Sequence, residues 1–308
     1  METILLGTRG SSLALVQSEW FAGELKRAWP ELNVELKQIS TTGDSRDNVP
    51  FAQAGGKGIF TREIDNAQVN GEIDIAVHSM KDVPTELPEG LTIAAVPERE
   101  CPNDVGITRE GSFSELPRNA TIGTSSIRRQ AFLKAWRPDL NVIEFRGNVD
   151  TRLRKLKEGQ ADAIILAAAG LRRLGIEHDG DALPFDLMLP APGQGALAIT
   201  SRQSDERARE LLSPLDHPPT HRAADMERAL LGRLGGTCQI PFGAQATPLE
   251  LEDQFDLVAA VCHPNGTSQI SARQTGQGGS RLSSRVYAEL ESQGLDTFMD
   301  EITEFLKL

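Results

Sequence analysis

The stretch Gly7-Thr8-Arg9-Gly10-Ser11-Ser12 joins a short apolar run to an amphipathic segment that begins at Leu13. This order predicts a buried strand from Ile4 to Thr8, a tight turn, and a helix capped by Ser11 or Ser12. The stretch Gly123-Thr124-Ser125-Ser126-Ile127-Arg128-Arg129 repeats the same order 116 residues later. Two strand–turn–helix units of one kind indicate an internally duplicated α/β fold.

Short apolar runs and helical patterns alternate around both stretches. Strands are predicted at Val34–Ser40, Ile73–His78, Leu91–Val96, Val142–Phe145 and Ala163–Leu166, and a further strand begins at Thr121. Helices are predicted at Ile59–Asn70, Ile127–Trp136 and Val149–Glu158. Strands that alternate with helices favour parallel sheets covered on both faces.

The chain changes character after Leu189, where the turn-rich segment Pro190–Gly195 leads into another strand and helix. A cluster of prolines near residue 218 then marks a boundary. The remainder contains a glycine-rich loop around Cys238, alternating strands and two closing helices, which is typical of an α+β module. We therefore expect three domains: residues 1–98 with 196–216, residues 99–195, and residues 217–308.

The charge distribution narrows the class of ligand. The 308 residues carry a net charge of −12, which argues against nucleic acid as a partner. Arginine nevertheless outnumbers lysine by 24 to 8, and residues 121–173 hold eleven basic against five acidic side chains. Because arginine binds carboxylates and phosphates through two parallel hydrogen bonds, this excess indicates an anionic ligand. Solvated helix faces would explain the same arginines without a ligand.

Cysteine and histidine usage gives little support for metal binding. Three cysteines without a C-x-x-C pair and five scattered histidines predict neither a disulfide scaffold nor a metal site. No apolar run reaches the roughly 18 residues of a membrane span, and the N-terminal residues lack the features of a targeting segment. We expect a cytoplasmic protein with no membrane partner.

Two local features could carry chemistry. Both serine-rich turns place hydroxyl groups, backbone N–H groups and arginine at a helix N-terminus, where an anion is favoured. The segment His78–Pro84 follows a predicted strand, at the edge where open α/β sheets usually bind ligands. The alternative is that Lys81 and Asp82 in this segment form nothing more than a surface ion pair, with a structural role alone.

The chain resembles the porphobilinogen deaminase (hydroxymethylbilane synthase) family along its whole length. The segments His78–Asp82 and Gly123–Gln130 are the most specific. The matching segments are Thr8–Leu15, Gly55–Gly58, Ala76–Pro84, Gly123–Gln130, Phe145–Val149, Asp162–Leu171, Pro192–Ala196 and Cys238–Pro241. The resemblance implies two α/β domains like those of periplasmic binding proteins around a cleft, followed by a C-terminal α+β domain with a small antiparallel sheet.

The resemblance also implies an activity and a cofactor. Members of this family join four porphobilinogen molecules with release of ammonia, and hydrolysis yields hydroxymethylbilane for tetrapyrrole and haem biosynthesis. The primer is a dipyrromethane cofactor, which the match attaches to Cys238 through a thioether. Asp82 matches the catalytic carboxylate, and Gly55, Gly56, Lys57 and Gly58 match a mobile loop. The matching cofactor- and substrate-binding residues are Arg9, Ser11, Lys81, Thr124, Ser125, Ser126, Arg128, Arg129, Arg146, Gly147, Arg152 and Arg173.

Three positions depart from the family pattern. Thr237 replaces a glycine before the cysteine, Gln53 replaces a lysine, and Thr200 replaces an acidic residue. None of them removes a chemical group that the reaction needs. The family implies a monomer with no metal; a solute-binding protein and an inactive relative are the alternatives.

Overall fold

The structure is a computed structural model, and it describes residues 2–41, 58, 61–236 and 239–307. Its strands are β1 (Glu2–Thr8), β2 (Leu32–Gln38), β3 (Ile75–Ser79), β4 (Leu91–Ala95), β5 (Asp104–Thr108), β6 (Thr121–Gly123), β7 (Asn141–Ile143), β8 (Ala163–Ala167), β9 (Asp181–Ala182), β10 (Leu197–Arg202), β11 (Phe242–Pro248), β12 (Gln254–Cys262) and β13 (Gln269–Gln277). Its α-helices are α1 (Ser12–Ala28), α2 (Arg62–Val69), α3 (Ile127–Trp136), α4 (Val149–Lys157), α5 (Ala168–Arg173), α6 (Glu206–Leu212), α7 (Pro218–Arg233), α8 (Ser280–Ser292) and α9 (Leu295–Leu306).

The chain forms two compact units, and each unit is built from two separate segments. The first unit contains Met1–Glu100 and Gly195–Ala224, and the second contains Cys101–Gln194 and Asp225–Leu308. The three-domain division predicted from the sequence stays a prediction.

The first unit contains a five-stranded sheet in the order β2-β1-β3-β10-β4. Strand β1 pairs in parallel with β2 and β3, whereas β10 runs antiparallel to both β3 and β4. Helix α1 covers one face because Phe21 and Leu25 pack with Ile4 and Leu6 in a fully buried cluster. The helix ends before Pro30, a residue that cannot continue it.

The second unit repeats this arrangement in a sheet of order β7-β6-β8-β5-β9. Strand β6 pairs in parallel with β7 and β8, and β5 runs antiparallel to both β8 and β9. Both sheets therefore contain three neighbouring parallel strands followed in the sheet by an antiparallel strand, which comes last in the chain in the first unit (β10) and first in the second (β5). The two serine-rich stretches lie at equivalent places, each between the central parallel strand and the helix that follows it, and the internal duplication stays a prediction.

The second unit also contains the three-stranded antiparallel sheet β11-β12-β13. Helix α8 packs on β13 and β12, while Ala260 and Cys262 of β12 join the apolar core beneath α3. The predicted fold class is confirmed by the two α/β sheets and this small antiparallel sheet.

Two details of the sequence-based prediction are wrong. Both large sheets are mixed and not purely parallel, because β10 and β5 enter from a crossover and run against their neighbours. Strands β5 and β9 and helix α5 had not been predicted. Within the described residues, no helix is long and apolar enough to cross a membrane.

Candidate active site

The first group of predicted site residues lies where β1 ends and α1 begins. Ser11 caps α1, because its hydroxyl accepts a hydrogen bond from the Ala14 backbone N–H at 3.3 Å. Thr8 is fully buried beneath this turn, and its hydroxyl accepts from Ser18 Oγ at 2.7 Å. Arg9, which follows Thr8 in the chain, is half-buried. The turn therefore places Arg9 and the N-terminus of α1 at the carboxyl edge of the sheet.

Lys81 and Asp82 lie in a one-turn 3₁₀ helix, Met80–Asp82, directly after β3. The backbone of this turn is anchored at both ends: the Met80 N–H donates to the Ala196 carbonyl at 3.0 Å, and the Val83 N–H donates to the Met80 carbonyl at 3.1 Å. Met80 and Val83 are buried, whereas Asp82 is exposed. A short carboxylate thus projects from a fixed backbone at the same sheet edge as Arg9, since β1 and β3 are parallel neighbours.

A buried polar network supports this edge from within the sheet. Thr200 donates its hydroxyl to Gln68 Oε1 at 2.9 Å and lies 3.4 Å from Nε2 of His78. All three side chains are buried. Burial, together with the charge of Arg9, lowers the pKa of His78 from 6.5 to about 4. His78 is therefore neutral near pH 7. Thr200, which replaces the acidic residue of the family pattern, has Gln68 as its polar partner.

The second group lies where β6 ends and α3 begins. Ser126 caps α3 by accepting from the Arg129 backbone N–H at 3.4 Å. Thr124 Oγ1 accepts from the Ser126 N–H at 3.3 Å, and Ser125 Oγ accepts from the Phe145 N–H at 3.0 Å. Each hydroxyl uses a lone pair to fix the turn, so its own proton can be donated to a carboxylate.

Arg128 and Arg129, in the first turn of α3, meet a buried carboxylate that sequence reasoning missed. Asp104 Oδ2 lies 2.8 Å from Nη1 of Arg128, and Asp104 Oδ1 lies 2.7 Å from Nη2 of Arg129. Burial alone would raise the pKa of Asp104, but the charges of Arg128 and Arg129 outweigh it and hold that pKa well below its usual range. Asp104 is therefore ionised near pH 7.

Arg146, Gly147 and Arg152 follow β7 at the same edge. Gly147 has a φ of +115°, and a Cβ there would lie 2.6 Å from Thr151 Cγ2, so the turn requires glycine. Arg152 Nε donates to the Gly147 carbonyl at 2.7 Å. Burial and the nearby charge of Arg129 lower the pKa of Arg152 to about 10. Arg146 Nε instead donates to Glu144 at 2.7 Å, and Arg173 closes α5 after β8.

The two described cysteines differ in burial: Cys101 is half-buried and Cys262 is buried. Burial raises the pKa of Cys262 to about 11, so its thiol is a poor nucleophile. Cys101 Sγ lies 3.4 Å from Asn103 Oδ1. Cys238 lies outside the described residues, as do Thr237, Gln53 and the predicted loop residues Gly55, Gly56 and Lys57. Gly58 is described, and its φ of +81° is the left-handed conformation that favours glycine.

Metal ligation has no support among the residues that the structure describes, which contain no group of three or more His, Cys, Asp or Glu side chains able to hold an ion. Apart from Asp82, the charged side chains among the predicted site residues that the structure describes are arginines and a lysine. Arginine guanidinium groups and helix N-termini at both sheet edges suit a ligand that carries several carboxylates.

Comparison with known proteins agrees with this chemistry. The family model described as porphobilinogen deaminase, dipyromethane cofactor binding domain, matches residues 4–210, and the model of the porphobilinogen deaminase C-terminal domain matches residues 222–291. Relatives named porphobilinogen deaminase include one from Geobacter sulfurreducens, 48% identical over 90% of this chain and 86% of its own. Another, from Brevibacillus brevis, is 44% identical over 96% of both chains.

Solved structures similar to the chain include the periplasmic aliphatic sulphonate binding protein SsuA from Escherichia coli, with a TM-score of 0.41, 14% identity, and coverage of 76% of this chain and 70% of that one. The family assignment depends instead on the two family models and on relatives of high identity that cover most of both chains. The chain belongs to the porphobilinogen deaminase family.

Proposed function

We propose that the chain joins four porphobilinogen molecules into hydroxymethylbilane, with Asp82 as the catalytic carboxylate and the arginines of the second unit as carboxylate ligands. The observation that carries this assignment is the buried Arg128–Asp104–Arg129 cluster beside Arg152. Porphobilinogen carries an acetate and a propionate on each pyrrole. A cluster of fixed guanidinium groups is the arrangement that such a ligand needs.

The residues also fit the dipyrromethane cofactor of the family. Arg128 is buried, and its Nε has no hydrogen-bond acceptor among the described residues. A buried guanidinium N–H without an acceptor is costly, so a bound carboxylate would stabilise it. When bound, the cofactor supplies a pyrrole α-carbon to which the first substrate is joined, and we propose that Cys238 holds it through a thioether.

Asp82 would act on the substrate. The C–N bond of the aminomethyl group breaks, ammonia leaves, and the substrate pyrrole becomes a cationic azafulvenium. The exposed Asp82 carboxylate, on its anchored turn, can accept a hydrogen bond from the pyrrole N–H and stabilise that positive charge. It can also accept the proton lost from the pyrrole α-carbon after the new C–C bond has formed. Hydrolysis then releases the tetrapyrrole.

Arg9, Ser11 and Lys81 would bind substrate carboxylates at the first-unit edge, and Thr124, Ser125, Ser126, Arg146, Gly147 and Arg173 at the second-unit edge. We further propose that the chain acts as a cytoplasmic monomer without a nucleic-acid or membrane partner. The net charge of −12 supports the exclusion of nucleic acid.

Intact-mass spectrometry of the purified chain tests the proposed function. We expect an added mass of two pyrrole units in the parent and in Cys101→Ser and Cys262→Ser, but not in Cys238→Ser, which should also be inactive. An adduct that survives in Cys238→Ser would contradict the attachment site. An unmodified parent that binds porphobilinogen reversibly would support the solute-binding alternative.

A further inference from the structure

Asp104 reaches the arginines because its strand runs against its neighbours. It is the first residue of β5, and it pairs with Ala167, the last residue of β8. An antiparallel strand places its amino end at the carboxyl edge of the parallel strands. Asp104 therefore lies at the sheet edge where Arg128 and Arg129 occupy the first turn of α3.

The hydrogen bonds accepted by Asp104 fix the orientation of the Arg129 side chain. Its Oδ1 accepts hydrogen bonds from Nε of Arg129 at 3.2 Å and from Nη2 of Arg129 at 2.7 Å, and from Nε2 of Gln194 at 2.9 Å. Nη1 of Arg129 donates to the Ile165 carbonyl at 2.8 Å. The guanidinium plane of Arg129 is thus fixed on two sides, and its position does not depend on a ligand.

Asp104 also sets the charge of the cluster. Its side chain is fully buried, where an isolated carboxylate or an isolated pair of guanidinium groups would be very costly. With Arg152 nearby, three guanidinium groups and one carboxylate leave two positive charges. Each pyrrole of the proposed ligand carries two carboxylates, so the charges of the cluster and of one pyrrole ring are equal and opposite.

We propose that Asp104 is a positioning residue for carboxylate binding: it orients Arg128 and Arg129 and limits their net charge, so that the cluster accepts the two carboxylates of one pyrrole ring. This inference depends on the proposed function, since the ligand is the pyrrole of that reaction. Asp104 itself would not touch the ligand.

The test measures loading of the apoprotein with porphobilinogen as the probe. Parent, Asp104→Asn, Asp104→Glu and Asp162→Asn are prepared without porphobilinogen, then titrated with it, and the loaded fraction of folded chains is read by intact mass. Asp162 is the matched control, because it lies at the opposite edge of the same sheet, where it accepts from the Thr121 N–H at 2.8 Å. Near-ultraviolet circular dichroism and urea unfolding measure the fold and stability separately.

We expect Asp104→Asn to need at least about tenfold more porphobilinogen for half-loading, the effect of one lost charge-assisted contact. Asp104→Glu should recover part of this loss, and Asp162→Asn should stay within about twofold of the parent. Lower stability with unchanged half-loading would show that Asp104 is only structural and would overturn the proposal. Tighter loading of Asp104→Asn would overturn it as well.

Gln194→Met keeps the proposal testable if Asp104→Asn does not fold. This variant removes the hydrogen bonds from Gln194 Nε2 to Asp104 Oδ1 and to the Pro102 carbonyl, and it leaves every charge in place. We expect half-loading to weaken about threefold to tenfold, in line with the loss of one hydrogen bond to a charged group. Unchanged half-loading of folded Gln194→Met would overturn the proposal. A parent that never acquires the adduct would instead contradict the proposed function.

Discussion

The two large sheets share one spatial arrangement of parallel and antiparallel strands, and one corresponding position in them differs in chemistry. In the first unit the antiparallel strand begins with Leu197, which pairs with the last residue of β3. In the second unit the corresponding residue is Asp104, which pairs with the last residue of β8. Both side chains are almost completely buried. The same backbone frame therefore carries an apolar residue at one edge and a carboxylate at the other.

This difference separates the chemistry of the two edges. The first-unit edge presents an exposed acid, Asp82, above the buried neutral His78. At the second-unit edge the acid, Asp104, is buried and forms ion pairs with two arginines. Equivalent sheet edges thus carry an exposed carboxylate in one unit and a buried carboxylate paired with two arginines in the other. We infer that the first edge supplies the catalytic carboxylate and that both edges supply carboxylate-binding groups.

The largest expected effect comes from breaking the buried cluster. Arg128→Leu or Arg129→Leu leaves the Asp104 carboxylate buried with one partner removed, which should lower the free energy of unfolding by about 3–5 kcal/mol. Both variants should also be isolated as apoprotein. Arg9→Leu, at the half-buried position of the first edge, should cost much less. Urea unfolding and intact mass measure these effects, and equal losses at the two edges would contradict the comparison.

Acid should affect the first edge before the second. The pKa of folded His78 is lowered to about 4, whereas an unfolded histidine titrates near 6.5. Its neutral form therefore stabilises the fold fully above about pH 6.5, and about 3 kcal/mol of this stabilisation is lost as the pH falls from about 6.5 to 4. The depressed pKa of Asp104 predicts that its contribution survives throughout that range.

The variant His78→Gln isolates this effect because glutamine does not titrate. The difference in unfolding free energy between parent and His78→Gln should change between pH 7 and pH 4 by the amount given above. A pH-independent difference would mean that the pKa of His78 is the same in the folded and the unfolded chain.

Substrate binding should depend on the half-buried Arg152 of α4 and not on the exposed Arg154. Arg152→Leu removes a guanidinium group whose pKa is lowered to about 10 by burial and by the charge of Arg129. The loss of its charge-assisted contact should weaken substrate binding by about 10- to 150-fold. Arg154 on the same helix is paired at the surface with Glu158, so Arg154→Leu should change KM little. Steady-state kinetics with porphobilinogen would reveal equal KM values if Arg152 is also a solvated surface residue.

The smallest expected effect concerns the two caps, where the edges are alike. Ser11→Ala and Ser126→Ala each remove a hydroxyl that accepts from a helix N–H at 3.3 and 3.4 Å. Each should lower the free energy of unfolding by about 1 kcal/mol. A much larger loss for Ser126→Ala, measured by urea unfolding, would show that its turn depends on more than the cap.

Local sequence signals predicted the elements that place the site. Helix α3 has the bounds Ile127–Trp136 that were expected from its serine cap and apolar spacing, and both serine-rich turns lie between strand and helix. These signals are local: the cap and the apolar face are encoded within a few residues of each other. Asp82 could be placed at a strand end for the same reason.

Asp104 could not be predicted in this way, because nothing near it in the sequence explains its burial. Its strand is five residues long and contains Gly106, where a Cβ would lie 2.3 Å from Phe113 Cδ2. A glycine in a strand is a poor strand signal, and an acid before it is typical of a loop. The partners that stabilise the acid lie 24 and 25 residues along the chain, on α3. Only the tertiary pairing of β5 with β8 brings them together.

The division of labour between the edges depends most directly on Asp82. Its decisive test is single-turnover release of ammonia by cofactor-loaded parent and Asp82→Asn. Asparagine keeps the shape of the side chain but loses the charge that would stabilise the substrate cation, so release should slow about 100- to 1,000-fold. Asp82→Glu keeps the charge and should retain measurable activity. Release by loaded Asp82→Asn within a few-fold of the parent rate would contradict the assignment of catalysis to the first edge.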